Sequence, residues 1–406
     1  MRSTTPFVHT SLDPQVRQIR LLNVESELSD GLISCTLGTY LIEERNLYIA
    51  LSYTWGPGPA TNTILLNGAA FRVRRNLHEF LLVARLKGFT EALWIDQICI
   101  NQKAVQERNH QLTLMGTIYY DAQSVLLWLG SAADDSDWAM HVIATGKDDH
   151  CGWTTDTAQK RELLVSAAQE RDYDLEQASL RTRHAIVNFF ARAYWSRLWI
   201  IQELKLARHA YVLCGMQRVG WQCLQNFVRL RQRTKGASFF SERSTRLILT
   251  KECNTRSFHR KELHFLEASE VMLRIPTNSA SERLRYLVWN HCRAECADPR
   301  DKVYGMLNLA TLVEGKLEGE LLFQADYNKT VEQVFWDFFE QTLIDQLKSL
   351  YPQSSTEWKR TWLPKWQCFA SILMYEMGLQ SEALCEKVEN IALETICGLE
   401  NRPTYA

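Results

Sequence analysis

The chain has 406 residues, a formal net charge of −1 and 46% hydrophobic residues. That balance lacks the basic excess of general nucleic-acid and membrane-surface binders, so neither is expected as a partner. The length fits two domains, or one with a large extension, and the apolar content is ample for a sizeable core.

Residues 19–22 (IRLL) and 32–37 (LISCTL) read as two short strands, and Leu47 to Tyr53 as a third. The continuous apolar run of the third suits burial on both faces. WGPGP, residues 55–59, must be a loop, because its Gly and two Pro cannot continue a strand or start an ordinary helix. Asn67-Gly68 between two apolar runs is a strong hairpin signal. Asn76 is placed to cap a helix whose inner face holds Leu77, Phe80, Leu81 and Ala84. A strand over 92–96 follows, and its apolar run ends in Asp96. A polar stretch with Cys99, Asn101 and Gln102 leads into a helix over about 103–120, with Val105, Leu112, Met115, Ile118 and Tyr119 at helical spacing. Glu107 and Arg108 in that helix are expected to pair with neighbouring helices. SVLLWL (124–129) is another buried strand. The alternation of strand and helix predicts an α/β class, with a mostly parallel sheet flanked by helices.

Acids at Asp134, Asp135, Asp137, Asp148 and Asp149 read as solvated loop charges, without calcium-loop spacing. Helices are expected over 158–170 and 180–206, and AYVLCG (210–215) adds a last strand. Beyond it the chain reads mainly helical, with a basic, polar loop or hinge over 231–246. At 298–310 a helix is expected, with Asp298 as cap, Pro299 in the first turn and Asp301 favouring the positive end. Thr330 and Gln333 form a capping box. The domain reading is 16–215 for the α/β part and 216–406 for a mainly α-helical C-terminal region. Eleven cysteines without a CxxC pair fit a reducing compartment. His291, Cys292 and Cys296 lack the second ligand pair a structural metal site needs, so they read as buried thiols and no metal is assigned. The first ten residues hold no apolar signal-like run, and no apolar stretch approaches the roughly 18 residues of a spanning helix. The expectation is a soluble, cytoplasmic protein.

Four separated words, YIALSYTWG (48–56), LWIDQICINQ (93–102), MGTIYYDAQSVLLWLG (115–130) and FFARAYWSRLWIIQELKLAR (189–208), occur in the order found in the fungal heterokaryon incompatibility (HET) domain, which this chain resembles. DPRDKVYGMLNLA (298–310) and ADYNKT (325–330) resemble words found after that domain, so the likeness covers about residues 16–350. The resemblance implies a role in fungal allorecognition and programmed cell death. A more distant resemblance is to the Toll/interleukin-receptor (TIR) domain, with 50–56, 93–102 and 124–130 matching its first three strands and their loops. YWSRLWIIQEL (194–204) resembles the TIR word in which a Trp precedes a Glu by four residues, here Trp199 and Glu203. Some TIR domains hydrolyse NAD with that Glu as the essential acid, so the resemblance implies NAD as a possible substrate and no cofactor.

The chemistry explains the requirement for an acid. Breaking the nicotinamide–ribose bond builds positive charge on the sugar, which one weakly screened carboxylate can stabilise. On a helix Trp199 and Glu203 lie one turn apart on one face, beside the apolar Ile200, Leu204 and Ala207. Glu203 is therefore either the catalytic acid or an ordinary salt-bridging residue, with Arg197, Lys205 and Arg208 available as bases. Asp96 either binds a ribose or caps the turn after its strand. Asn101 and Gln102 can contact a ligand or satisfy local backbone. Ser52 and Tyr53 can line a crevice at the end of the first strand, or Tyr53 can pack under the loop. No GxGxxG, GxxxxGK, GxSxG or HExxH word is present, so glycine phosphate cradles, a serine nucleophile elbow and a zinc-protease helix find no support. A thiol hydrolase built on Cys99 is weaker than a packed cysteine. Two functions remain: an NAD glycohydrolase effector acting through Glu203, and a non-enzymatic module acting by self-association or by binding a signalling protein.

Overall fold

In the computed structural model the described residues are 5–44, 47–145, 174–233, 279–313, 316–317, 321–350, 363–380 and 384–400. Strands β1 (Gln18–Ser29) and β2 (Leu32–Leu41) pair antiparallel around Asp30 and Gly31, both at positive φ. They are far longer than the two short strands expected. The end of β1, Glu25–Ser29, is solvent-exposed and held to β2 by the backbone ladder, which leaves no apolar pattern there to read. β3 (Tyr48–Tyr53) is buried at every residue, as its apolar run predicts. β4 (Asn62–Leu66) and β5 (Ala69–Val73) form the expected hairpin, with Asn67 (φ 50°) and Gly68 (φ 78°) supplying the two left-handed residues of a tight turn.

Helix α1 (Arg75–Leu86) buries Leu77, Phe80, Leu81 and Ala84 completely, and each large side chain contributes about 1.5–3 kcal/mol by leaving water. Asn76 does not cap it. The cap position is Arg74, and Asn76 lies inside the first turn. Its amide donates to the Thr54 carbonyl (2.6 Å), and its Oδ1 accepts from the Trp128 indole (2.8 Å). Those distant partners win over a local capping bond.

β6 (Ala92–Trp94) stops before Asp96, which instead opens a single helical turn, α2 (Asp96–Cys99). α3 (Val105–Asp121) follows; Met115, Ile118 and Tyr119 are buried, but Val105, its first residue, is 39% exposed. Then come β7 (Ser124–Trp128), α4 (Ser136–Ala144), α5 (Asp174–Phe190), α6 (Trp199–Leu206), β8 (Ala210–Cys214), β9 (Gln217–Gly220) and α7 (Trp221–Arg233). The single helix expected over 180–206 is thus two. A short turn at Ala193–Ser196 buries Tyr194 and Trp195 together, and Arg192 donates to the carbonyls of Leu129, Ser131 and Ala133.

The nine strands order as β5-β4-β2-β1-β6-β3-β7-β8-β9. β6, β3, β7 and β8 run parallel, as do β2 and β4. The β1–β2, β1–β6, β4–β5 and β8–β9 pairs are antiparallel. The sheet is therefore mixed rather than mostly parallel: a parallel centre extended by hairpins whose polar edges carry little period signal. Alternation along β3 sends Ile49, Leu51 and Tyr53 into the core with α1, and Tyr48, Ala50 and Ser52 to the opposite face. On that face Tyr48 OH donates to the Ile118 carbonyl of α3 (2.6 Å), and Trp94 meets the Tyr119 ring edge-on.

By compactness the chain forms two units. One comprises Met1–Gln111, Ile118–Ser196 and Leu206–Leu266; the other comprises Leu112–Thr117, Arg197–Lys205 and Glu267–Ala406. The second is mainly helical, with α8 (Ala280–His291), α9 (Asp301–Ala310), α10 (Val331–Leu350), α11 (Leu363–Glu376) and α12 (Leu384–Glu400) beside a minimal hairpin of β10 (Leu312–Val313) and β11 (Lys316–Leu317). The Thr330–Gln333 capping box forms reciprocally, with bonds of 2.8 and 3.1 Å. Asp298 is not the cap of α9, a position held by Arg300; its carboxylate accepts from the Arg300 backbone and grips the Arg300 guanidinium. Phe338, Phe339, Trp366 and Phe369 form an aromatic core between α10 and α11.

Among the described residues Cys35, Cys99, Cys214, Cys292, Cys296 and Cys368 are free thiols. Among the described residues no helix is long and apolar enough to cross a membrane. The helix expected over 158–170, most of the 231–246 loop, and Asp148 and Asp149 lie outside the described residues.

Candidate functional site

The parallel centre β6-β3-β7-β8 takes its strands in chain order second, first, third, fourth. Sheets wound in this order open ligand crevices at the carboxyl edge, beside the first strand. That edge carries the first group of candidate residues. Ser52, near the end of β3, is buried with its Oγ 2.6 Å from Tyr194 OH. Tyr53 points to the other face, is equally buried, and donates to Gln97 Oε1 at 3.3 Å. Tyr53 thus belongs to the core cluster that also holds Ile95 and Ile98.

Asp96 is half-buried and uses both oxygens. Oδ2 accepts from the Trp55 indole (2.8 Å), and Oδ1 accepts from the Gln97 backbone (2.7 Å). The second bond is the local turn-stabilising role that aspartate performs well. The first draws Trp55, in the loop after β3, to the acid. Gln102 Nε2 donates to the Asp96 carbonyl (2.9 Å), and Asn101 Oδ1 accepts from the Lys103 backbone (3.3 Å). Both amides thus make local backbone bonds.

A buried ion pair anchors the stretch 97–102. Arg20 of β1 donates to both oxygens of Glu107 (2.7 and 3.0 Å) and to the Cys99 carbonyl (2.8 Å). Glu107 also accepts from the Asn101 backbone at 2.7 Å. The expected helix–helix pairing of Glu107 is corrected: its partner is a strand, 87 residues away in sequence. Burial pushes the Glu107 carboxyl up, but the bonds from Arg20 and Asn101 and the Arg20 charge outweigh it, so it titrates below the usual range. Cys99 is fully buried, its thiol pushed up to about 12 by desolvation, which withholds the thiolate a cysteine hydrolase needs.

The second group sits in the second unit, on α6 and α9. Trp199 opens α6 and donates its indole N–H to Asp301 Oδ2 at 2.9 Å. Tyr327 OH donates to Asp301 Oδ1. Asp301 is 7% exposed, and burial pushes its carboxyl up to about 6 despite those two donors. Its sequence role as a helix-dipole residue understates this, since neither donor lies near it in the chain. Glu203, one turn after Trp199, is 3% exposed, with the Arg197 guanidinium 4.0 Å away. Ile200 and Leu204 beside it are buried, matching the apolar stripe read from the sequence. Gln202 is fully buried, with both amide atoms lacking a hydrogen-bond partner.

Sequence reasoning missed Trp55 at Asp96, Tyr194 at Ser52, Arg20 at Glu107 and Asp301 at Trp199. Each pairing joins residues at least 41 positions apart and follows no local spacing. Among the described residues no three His, Cys, Asp or Glu side chains converge to hold a metal ion.

Residues 48–203 match the heterokaryon incompatibility protein (HET) family. Over 248 residues the chain is 31% identical to heterokaryon incompatibility protein 6, OR allele, of Neurospora crassa. The match covers 53% of this chain and 36% of that protein, so the chain spans well under half of the relative's length. No solved structure matches the chain significantly.

Proposed function

We propose that this chain acts in the cytoplasm in fungal allorecognition, as a HET-type effector of programmed cell death that works by self-association or by engaging a signalling protein. The similarity of residues 48–203 to the HET family, and of a longer stretch to a protein named for heterokaryon incompatibility, supports that biological setting. The observation that carries the mode of action is the commitment of the candidate polar groups. Glu203 is buried beside Arg197, and Asp96 accepts from Trp55 and Gln97. Ser52, Asn101 and Gln102 bond within the protein. Groups held this way stiffen a fold and shape its surface.

A second reading is NAD glycohydrolysis with Glu203 as the essential acid. Two observations favour it. The second-first-third-fourth order of the parallel strands supports a TIR-like fold, and a Glu buried beside Ile200 and Leu204 has a weakly screened field. Purified chain at high concentration, wild type beside Glu203→Gln, decides between the two. The module reading expects no NAD loss from either form and equal toxicity of both when expressed in fungal cells. NAD loss by the wild type, abolished in a Glu203→Gln form of unchanged melting temperature, would replace it with the enzyme. Lack of toxicity from the wild type would overturn the effector reading itself.

A further inference from the structure

Within the second unit lies an apolar cavity of about 500 Å3, walled by Arg285 and Trp289 of α8 and by Lys365, Trp366, Cys368 and Phe369 of α11. Its size falls in the range of small-molecule sites, about 300–1,000 Å3. Trp289 stays 43% exposed at the wall, its ring edge-on to Phe369 at 5.3 Å. An exposed tryptophan beside a hollow is unusual where the same α8–α11 contact buries Trp366 and Phe369.

The charge in this cavity is as informative as its apolar walls. The Arg285 guanidinium lies 5.4 Å over the Trp366 ring, and its Nε is buried with no acceptor. Stacking occupies the face of the guanidinium and leaves its edge donors free for a planar anion. Desolvation pulls Arg285 below its ordinary value, against the opposing pull of Glu282, so the cation is under-compensated where it stands. A neutral apolar guest would leave the guanidinium charge unbalanced, and a cationic guest would be repelled by Arg285 and Lys365.

The geometry points to a binding site for a small, dissolved organic anion: a carboxylate on the Arg285 edge, with a flat aromatic or medium-length alkyl body against Trp289, Trp366 and Phe369. This site is independent of Glu203 and of the choice between enzyme and module.

Cys368 is free, exposed and on the wall, so it reports occupancy directly. The full chain is treated with N-ethylmaleimide, and alkylation of the Cys368 peptide is followed by mass spectrometry. Dodecanoate below its micellar concentration, dodecanol and dodecyltrimethylammonium are compared. Dodecanoate is expected to slow alkylation saturably, by about tenfold or more, and the cation to leave it unchanged. Arg285→Gln is expected to weaken dodecanoate binding by roughly ten- to hundredfold, the worth of a charged hydrogen bond, with Arg285→Lys recovering part. The wild-type protection experiment stands even if Arg285→Gln fails to fold. Equal protection by all three amphiphiles, absence of saturable protection, or protection only by phosphatidic-acid vesicles overturns the proposal.

Discussion

Arg20 shows how a charge is kept inside a sheet. Its guanidinium donates to both Glu107 oxygens and to the carbonyls of Cys99 and Thr10, so its donors meet acceptors in low dielectric. Both side chains of the pair are nearly inaccessible, 3% and 9% exposed. Removing one partner of such a pair leaves an uncompensated buried charge, a loss of about 3–5 kcal/mol. Glu107→Gln is expected to lower unfolding free energy by that order in urea, and a loss below about 1 kcal/mol would deny the pair its anchoring role. Because the folded Glu107 titrates below the usual carboxylate range, its stabilisation is present above the unfolded pKa and is lost as pH falls through the depressed folded value. Asp301 behaves oppositely. Its folded pKa of about 6 exceeds the ordinary 3.8, so the folded state binds the extra proton. Its contribution is fully present below pH ~4 and declines as pH rises to about 6, by roughly 3 kcal/mol. Asp301→Asn keeps an acceptor for Trp199 and removes the titration. Comparing unfolding free energy at pH 4 and pH 7, the variant should lose less than the wild type on going to pH 7. Identical pH profiles would mean that Asp301 is ionised at no cost in the fold.

At the scale of elements, Gly116 in α3 decides a packing distance. A Cβ there would stand 2.7–2.8 Å from Cβ, Cγ and Oδ1 of Asn308 on α9, and Asn308 Nδ2 donates to the Leu112 carbonyl at 3.4 Å. Alanine is intrinsically the better helix former by about 1 kcal/mol. Overpacking against the first atoms of a buried asparagine costs about 1–3 kcal/mol, and the clash wins. Gly116→Ala should therefore lower the melting temperature, whereas the helix-propensity argument alone predicts a rise; calorimetry separates them. The same contrast explains what the sequence could and could not reveal. β3, β7, the Asn67-Gly68 hairpin and the buried face of α1 follow from patterns within a few residues, and they are found where expected. The break at 193–196 and the true role of Asn76 depend on partners far along the chain, and the exposed end of β1 is held by backbone pairing that leaves no apolar pattern. The candidate residues were legible as types at positions, since acids and amides after a buried strand are visible. Their bonds were not, because the indole at Asp96 and the guanidinium at Glu107 come from other elements.

For the whole molecule, chain order and compactness divide the protein differently. A boundary near residue 215 follows the fading of strand signals, yet residues 112–117 and 197–205 belong to the unit that also holds 267–406. The bonds that matter there are Trp199 to Asp301, the Leu198 amide to the Glu295 carbonyl (2.8 Å), and the Gly116–Asn308 approach. A fragment ending at 215 keeps Leu198, Trp199 and Gly116 but loses the residues of 267–406 that satisfy them. Leu198 is fully buried in the intact chain, and an unpartnered apolar patch of this kind favours aggregation. Residues 1–215 expressed alone should collect in the insoluble fraction and be recovered on co-expression with 216–406. A soluble 1–215 fragment that unfolds cooperatively at the melting temperature of the full chain would show instead that the α/β part stands alone. In that case the contacts of Trp199 and Leu198 would contribute little to its stability.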